Sequence, residues 1–250
     1  MRVHSSLCTL AFLPFLLATF AHAQSSTTPY DSVDPLIGTA GGGNTFPGAT
    51  LPFGMVQWSP DTNTDAWYRY NEKQLYGFSL THISGAGCPL YGDFAVLPTE
   101  EALTTSPGTK FTPLAFDRRD EQAHPSYYAV TLTSDVRVEL TVAERTGIAR
   151  FAFPEGGDMR MLINAGSSAN SIPGTNKNPR DHEAFGNHIE VKPDGSFSGW
   201  IRAGRFCGSD SHYKLFVAGK FSRPFKSTAL WQDDAILKDA KSAQGKHTGA

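Results

Sequence analysis

Two stretches between Tyr128 and Val142 carry large apolar residues at every second position. Tyr128, Val130 and Leu132 interleave with Ala129, Thr131 and Thr133, and Val136, Val138, Leu140 and Val142 interleave with Arg137, Glu139, Thr141 and Ala143. A period of two with β-branched residues on one side is the pattern of a strand buried on one face. Ile148 to Phe153 and Met159 to Asn164 extend the ladder, with Pro154 and Gly156-Gly157 as breaks. Ile189 to Lys192 and Phe197 to Ile201, joined by Pro193-Asp194-Gly195, predict a hairpin, and Tyr213 to Ala218 predicts a further strand. Upstream, Phe94 to Leu97 is a short apolar strand closed by Pro98, and residues 99–120 read as a polar connection. No segment sustains a 3.6-residue period over four turns. The pattern predicts an all-β protein, a two-sheet antiparallel β-sandwich with few short helices.

The two ends read differently. Arg2, the apolar run Leu7 to Ala21 and the small residues of Ala21-His22-Ala23 form a secretory signal peptide with cleavage expected before Gln24. The run is shorter than the roughly 20 residues a bilayer span needs, and Pro14 interrupts it. The mature protein is therefore expected to be secreted or periplasmic, without a membrane span. Apolar density falls after residue 232, so the sandwich is expected over 24–232, with 233–250 a linker or the truncated start of another domain. A net charge of −2 gives no field that would draw nucleic acid. Charged residues make up 18% while Gly and Pro number 24 and 16, a turn-rich composition that suits an extracellular β protein. Cys88 and Cys207 outlast the leader; in an oxidising compartment they either pair or stand as two separate buried thiols.

The polar chemistry concentrates between Asp34 and Asp93. Gly77 to Asp93 (GFSLTHISGAGCPLYGD) sets His82, Ser84, Cys88 and Asp93 beside Gly85 and Gly87, whose missing side chains let a ligand approach the backbone. Trp58 and the run Trp67-Tyr68-Arg69-Tyr70 add flat apolar faces. Aromatics beside Asp, His and Asn suit a sugar, whose C–H-rich face stacks while its hydroxyls bond to polar neighbours. Trp58, beside Val56 and Pro60, is assigned to the core, whereas Trp67, among Asp65, Arg69 and Asn71, is open to either role. The candidate binding residues are Trp67, His82, Gly85, Gly87, Cys88 and Asp93. Chemistry beyond binding finds less support. His82, His182, His188, His212, Cys88 and Cys207 lack zinc-ligand spacing, and no GxSxG motif occurs. Asp93, Glu144, Asp181, Glu183 and Asp210 are acids that nothing in the sequence pairs for glycoside cleavage. No catalytic residue and no metal ligand is assigned.

Val33-Asp34-Pro35-Leu36-Ile37-Gly38-Thr39, Asn44 to Gln57 (NTFPGATLPFGMVQ), Ser59-Pro60-Asp61-Thr62 and Gly77 to Cys88 strongly resemble the N-terminal domain of glycoside hydrolase family 92. Tyr127-Tyr128, Arg145-Thr146-Gly147, Phe206-Cys207-Gly208 and Phe216-Val217-Ala218 agree with it, so the resemblance runs from about Ser32 to Phe225. It implies a supersandwich that lends substrate contacts to a calcium-dependent, inverting exo-α-mannosidase acting on mannose-containing glycans. The general acid, general base and calcium ligands would then belong to a C-terminal (α/α)6 domain beyond Ala250, leaving no cofactor within this chain. The chain departs from the family at Ala86, where many members carry Thr, at Ser126, where many carry Gly, and across Trp67 to Tyr70. A free-standing, non-catalytic sugar-binding module is the alternative.

Overall fold

A computed structural model describes residues 28–62, 68–88, 90–108, 110–167 and 183–250. The expected signal peptide therefore falls outside the described residues, as do Trp67, Asp181 and His182. The strands in chain order are β1 (Ala49–Thr50), β2 (Gln57–Asp61), β3 (Gln74–Leu75), β4 (Gly77–Ser79), β5 (Ala95–Thr99) and β6 (Leu114–His124). They continue as β7 (Tyr127–Leu132), β8 (Arg137–Val142), β9 (Gly147–Ala152), β10 (Arg160–Asn164), β11 (Glu183–Val191) and β12 (Ser196–Gly204). A 3-10 turn at Phe206–Gly208 precedes β13 (His212–Lys220), β14 (Ala229–Gln232), β15 (Ala235–Lys238), β16 (Ser242–Gly245) and β17 (Thr248–Gly249). Every pairing among the described residues is antiparallel, as the sequence pattern predicts.

The strands are spread over three sheets. An eight-stranded sheet runs β1-β2-β4-β5-β10-β17-β14-β15, a five-stranded sheet β3-β6-β7-β8-β9, and a four-stranded sheet β13-β12-β11-β16. The alternation of β7 and β8 buries Tyr128, Val130, Leu132, Val138 and Leu140 against Trp58, Phe78, Val96 and Leu97 of the eight-stranded sheet. Each such side chain contributes roughly 1.5–3 kcal/mol of hydrophobic stabilisation. A second core joins Phe94, Ile163 and Leu230 of the large sheet's side to Ile189, Val191 and Ala243 of the four-stranded sheet. Trp58 lies in the first core and donates its indole N–H to the Phe78 carbonyl at 2.9 Å. The predicted hairpin forms as β11 and β12, with Val191 opposite Phe197. Asp194 caps its turn by accepting from the Ser196 amide and hydroxyl at 3.1 and 2.6 Å.

Two expectations are corrected. Residues 99–120 are not simply a connection, because β6 begins at Leu114. Among the described residues this strand has only the two-residue β3 on its other side, and charged side chains line it, as is usual for a sheet edge. Its register against β7 jumps from Phe116–Leu132 to Glu121–Val130, so Asp117 to Asp120 bulge outward and break the alternation. The expected linker 233–250 instead forms β15, β16 and β17. Polar side chains and backbone hold it where apolar density is low. Asn187 accepts from the Thr248 amide at 2.9 Å and donates to the Lys246 carbonyl at 2.5 Å, while Asp233 accepts from the Lys246 and His247 amides. One family departure also gains a physical meaning: Ser126, between β6 and β7, has φ +65°, a conformation that glycine adopts without strain.

Because β17 threads between β10 and β14, Gly249 has no room for a side chain. An added Cβ would lie 2.1 Å from the Trp231 ring and 2.3 Å from the Ile163 carbonyl oxygen. Gly249→Ala is expected to cost about 1–3 kcal/mol through overpacking, lowering the thermal midpoint by roughly 3–10 °C. An unchanged midpoint would show that the C-terminal segment is not part of the core.

Candidate functional site

The described residues of the segment that crosses from β4 to β5, 80–88 and 90–94, have no regular secondary structure, so side chains must hold their backbone. Its first anchor is a buried polar group. The His82 ring, 2% exposed, directs Nδ1 to the Gln57 carbonyl at 2.7 Å and Nε2 to Asp61 Oδ1 at 2.9 Å. Asp61 also accepts from the Ser79 hydroxyl at 2.9 Å and the Ser79 amide at 3.1 Å, and the Gln57 side chain accepts from the His82 amide at 3.2 Å. The second anchor is Asp93, which is fully buried. Its Oδ2 accepts from Tyr213 of β13 at 2.6 Å and from the Thr81 hydroxyl at 2.9 Å, while Oδ1 has no hydrogen-bond partner among the described residues. Burial pushes the Asp93 carboxyl up to about 6 against the opposing pull of Tyr213 and Thr81, and the same burial beside Asp93 raises the Tyr213 phenol. The third anchor is covalent. Cys88 pairs with Cys207, Cα to Cα 5.5 Å, tying the segment to the turn between β12 and β13.

These anchors hold a strained backbone. Tyr91 and Phe94 have φ of +58°, which costs on the order of 1–3 kcal/mol for each residue with a Cβ. The Gly92 amide donates to the Thr81 carbonyl at 2.9 Å and the Leu80 amide to the Asp93 carbonyl at 3.0 Å, closing the segment on itself. Its tip faces outward. Gly85 and Gly87 are exposed, and a Cβ built on either meets no atom of the described residues within 4 Å. The Gly85 amide bonds the Asn44 carbonyl at 2.8 Å, and the Tyr70 amide bonds the Thr39 carbonyl at 3.1 Å. Two neighbouring loops, 38–48 and 68–72, are thereby joined to the same face.

Residues that the sequence did not single out hold the 68–72 arm. The bulge in β6 turns Arg118 so that its guanidinium lies 4.8–4.9 Å from the ring centres of Tyr68, Tyr70 and Phe116. Arg118 donates to the carbonyls of Glu72 at 2.8 Å and Arg69 at 3.2 Å, and to Glu121 at 2.6 Å. Glu121 also accepts from Tyr68 at 2.8 Å and Tyr128 at 2.7 Å, and its own burial raises its carboxyl above the usual range. The sequence signal was the run of charges at Asp117 to Glu121, which resembles any solvated edge.

Five of the six candidate residues divide by position, Trp67 lying outside the described residues. Gly85 and Gly87 reach the surface; His82 and Asp93 lie beneath it; Cys88 fastens it. Of the remaining acids, Glu144 accepts the Met55 amide through its backbone carbonyl, Glu183 lies 3.5 Å from Arg205, and Asp210 is exposed. Among the described residues no group of three or more His, Cys, Asp or Glu side chains gathers where a metal could be held. A calcium ion takes six to eight oxygen ligands. The buried carboxylates Asp61, Asp93 and Glu121 instead stand singly among hydrogen-bond donors, so the described donor set does not fit that ion.

A profile of the Glycosyl hydrolase family 92 N-terminal domain matches residues 32–250. A protein of Arthroderma benhamiae named as an uncharacterized secreted glycosidase is 31% identical over 164 residues, covering 60% of this chain and 20% of its own length. The solved family 92 α-mannosidase of Bacteroides thetaiotaomicron superposes with a TM-score of 0.76 at 29% identity, over 88% of this chain and 30% of that one. An inverting family 92 mannosidase of the same species superposes at 0.71 over 91% of this chain and 29% of its own, with 22% identity, a likeness of fold alone. The chain thus spans less than a third of each of these proteins.

Asp93 gives the site a pH signature. Its folded carboxyl titrates at about 6, above the ordinary value of 3.8, so the folded protein binds the proton more tightly than the unfolded chain. Its contribution is then greatest below about pH 4 and is lost as pH rises through about 6, on the order of 2–3 kcal/mol. Asp93→Asn, which mimics the protonated acid, is expected to flatten this part of the profile. Urea unfolding of both proteins at pH 4.5 and 7.5 checks it; parallel profiles would contradict it.

Proposed function

This chain belongs to the Glycosyl hydrolase family 92 N-terminal domain family, and on that footing we propose that it forms the substrate-contacting wall of a secreted exo-α-mannosidase. The loop face offers exposed glycine backbone at Gly85 and Gly87, where a sugar ring can come within hydrogen-bond reach of peptide groups. That open backbone, held on enclosed polar anchors, is the observation that carries the reading. In it Trp67 supplies a stacking face, while His82, Cys88 and Asp93 act through the backbone they fix. The ligand is a mannose-containing glycan.

Inverting cleavage needs a general acid and a general base on opposite sides of the scissile bond, about 6.5–9.5 Å apart, with room for water. In the proposed enzyme these carboxyls and the calcium ligands come from a C-terminal (α/α)6 domain outside this sequence. Calcium would help hold the substrate there; this chain would bind and orient the sugar. The enclosed states of Asp61, Asp93 and Glu121 support that division of labour.

Gly87 separates binding from folding, because a side chain there meets no neighbour among the described residues. Gly87→Leu is expected to leave stability within about 0.5 kcal/mol of the parent. The same change should weaken mannose and mannobiose binding about ten-fold or more, read by NMR titration at millimolar sugar. The purified chain is expected to release no mannose from α-mannosides, with or without calcium. Unaltered binding by Gly87→Leu would remove the loop from the site, and calcium-dependent turnover would place the catalytic groups within this chain.

A further inference from the structure

The outer face of the four-stranded sheet carries a second cluster that the loop face does not use. Side chains alternate across β13. Tyr213, Leu215 and Val217 turn inward, Tyr213 to bond Asp93, whereas Lys214, Phe216 and Ala218 are exposed. The register places His188, Trp200 and Phe216 in one row across β11, β12 and β13. The His188 and Trp200 rings stack at 12° with centres 6.2 Å apart. Phe216 is 69% exposed in the middle of its strand, where a sheet's solvent face is ordinarily polar. With strands about 4.8 Å apart, the row runs about 10 Å, the length of two sugar rings. A shallow groove of about 500 Å³ follows it, lined by His188, Ser198, Trp200, Phe216 and Ala218.

Charge gives the row a direction. On one side the neighbouring register holds Arg202 opposite Lys214, and neither forms an ion pair among the described residues. Lys214 Nζ instead rests 4.0 Å from the Trp200 ring centre and 4.9 Å from that of Phe216. On the other side Glu190 lies opposite Ser198. Flat aromatic faces suit the C–H face of a pyranose, and two cations at one end, with no carboxylate partner among the described residues, suit an anionic substituent. We infer that this face is a second saccharide-binding surface, independent of the loop site, for a glycan bearing a phosphate or carboxylate group. The sugar ring takes the Trp200–Phe216 shelf, and the Lys214 ammonium moves from the Trp200 ring to the anion.

Titration of the full chain, followed by two-dimensional NMR, tests this with mannose 6-phosphate, glucuronic acid, mannose and inorganic phosphate as probes. Both acidic sugars are expected to shift the Trp200 indole signal and the amides of residues 214–218, with Kd of about 1–10 mM. Mannose should bind at least about five-fold more weakly, and inorganic phosphate should leave the indole unmoved. A response to only one acidic sugar would identify the anion's source. Trp200→Ala or Phe216→Ser should abolish the response with the rest of the spectrum intact. Lys214→Met should weaken only the acidic sugars, and Gly87→Leu should change nothing here, which keeps this test separate from that of the loop site. No shift at 50 mM of either acidic sugar, equal shifts with phosphate alone, or shifts that follow protein rather than sugar concentration would overturn the inference; the last would assign the face to a second copy of the chain.

Discussion

The Asp61 carboxylate is the constraint on which the loop face depends. It ends β2 inside the protein, where an unpaired charge would be strongly destabilising. Its oxygens are met by the Ser79 amide and hydroxyl and by His82, so the end of β4 and the start of the following segment are fixed relative to β2. Asp93 and the Cys88–Cys207 bridge then fasten the far end of that segment to the four-stranded sheet. Removing one partner of such a group leaves another buried and unsatisfied, which costs more than the bond itself contributes. The segment can therefore sustain left-handed residues at Tyr91 and Phe94 and still present an ordered surface.

Polar groups play the same part elsewhere. Glu121 and Arg118 hold the arm at 68–72 from a bulged edge strand, and Asn187 and Asp233 hold the C-terminal strands. The apolar cores set which sheets face each other, and these buried hydrogen bonds set where the loops between them lie. Function, in this reading, is placed on irregular backbone that rigid sheets position.

Legibility in the sequence followed the same division. Strands β7 to β13 could be read because they bury one face and alternate, as Tyr128, Val130 and Val138 show. Strand β6 could not, because Phe116 is its one fully buried apolar side chain and the bulge interrupts its period. The C-terminal strands were hidden because Ser242 to Gly245 and Thr248–Gly249 pair through backbone with few apolar side chains. At the candidate site, the glycines and the cysteine announced a special loop. Burial of His82 and Asp93 did not show, since partners such as Gln57, Asp61 and Tyr213 lie 25, 21 and 120 positions away in sequence.

The central claim is that the loop face is rigid and preformed although its described residues form no regular secondary structure. Amide hydrogen exchange at Leu80, His82, Gly85 and Gly92 reads this directly. In the native chain these amides are expected to exchange at least about a hundred-fold more slowly than unprotected amides, and Asp61→Asn should release them while β7 and β8 stay protected. Exchange of the native loop at the unprotected rate would contradict the account.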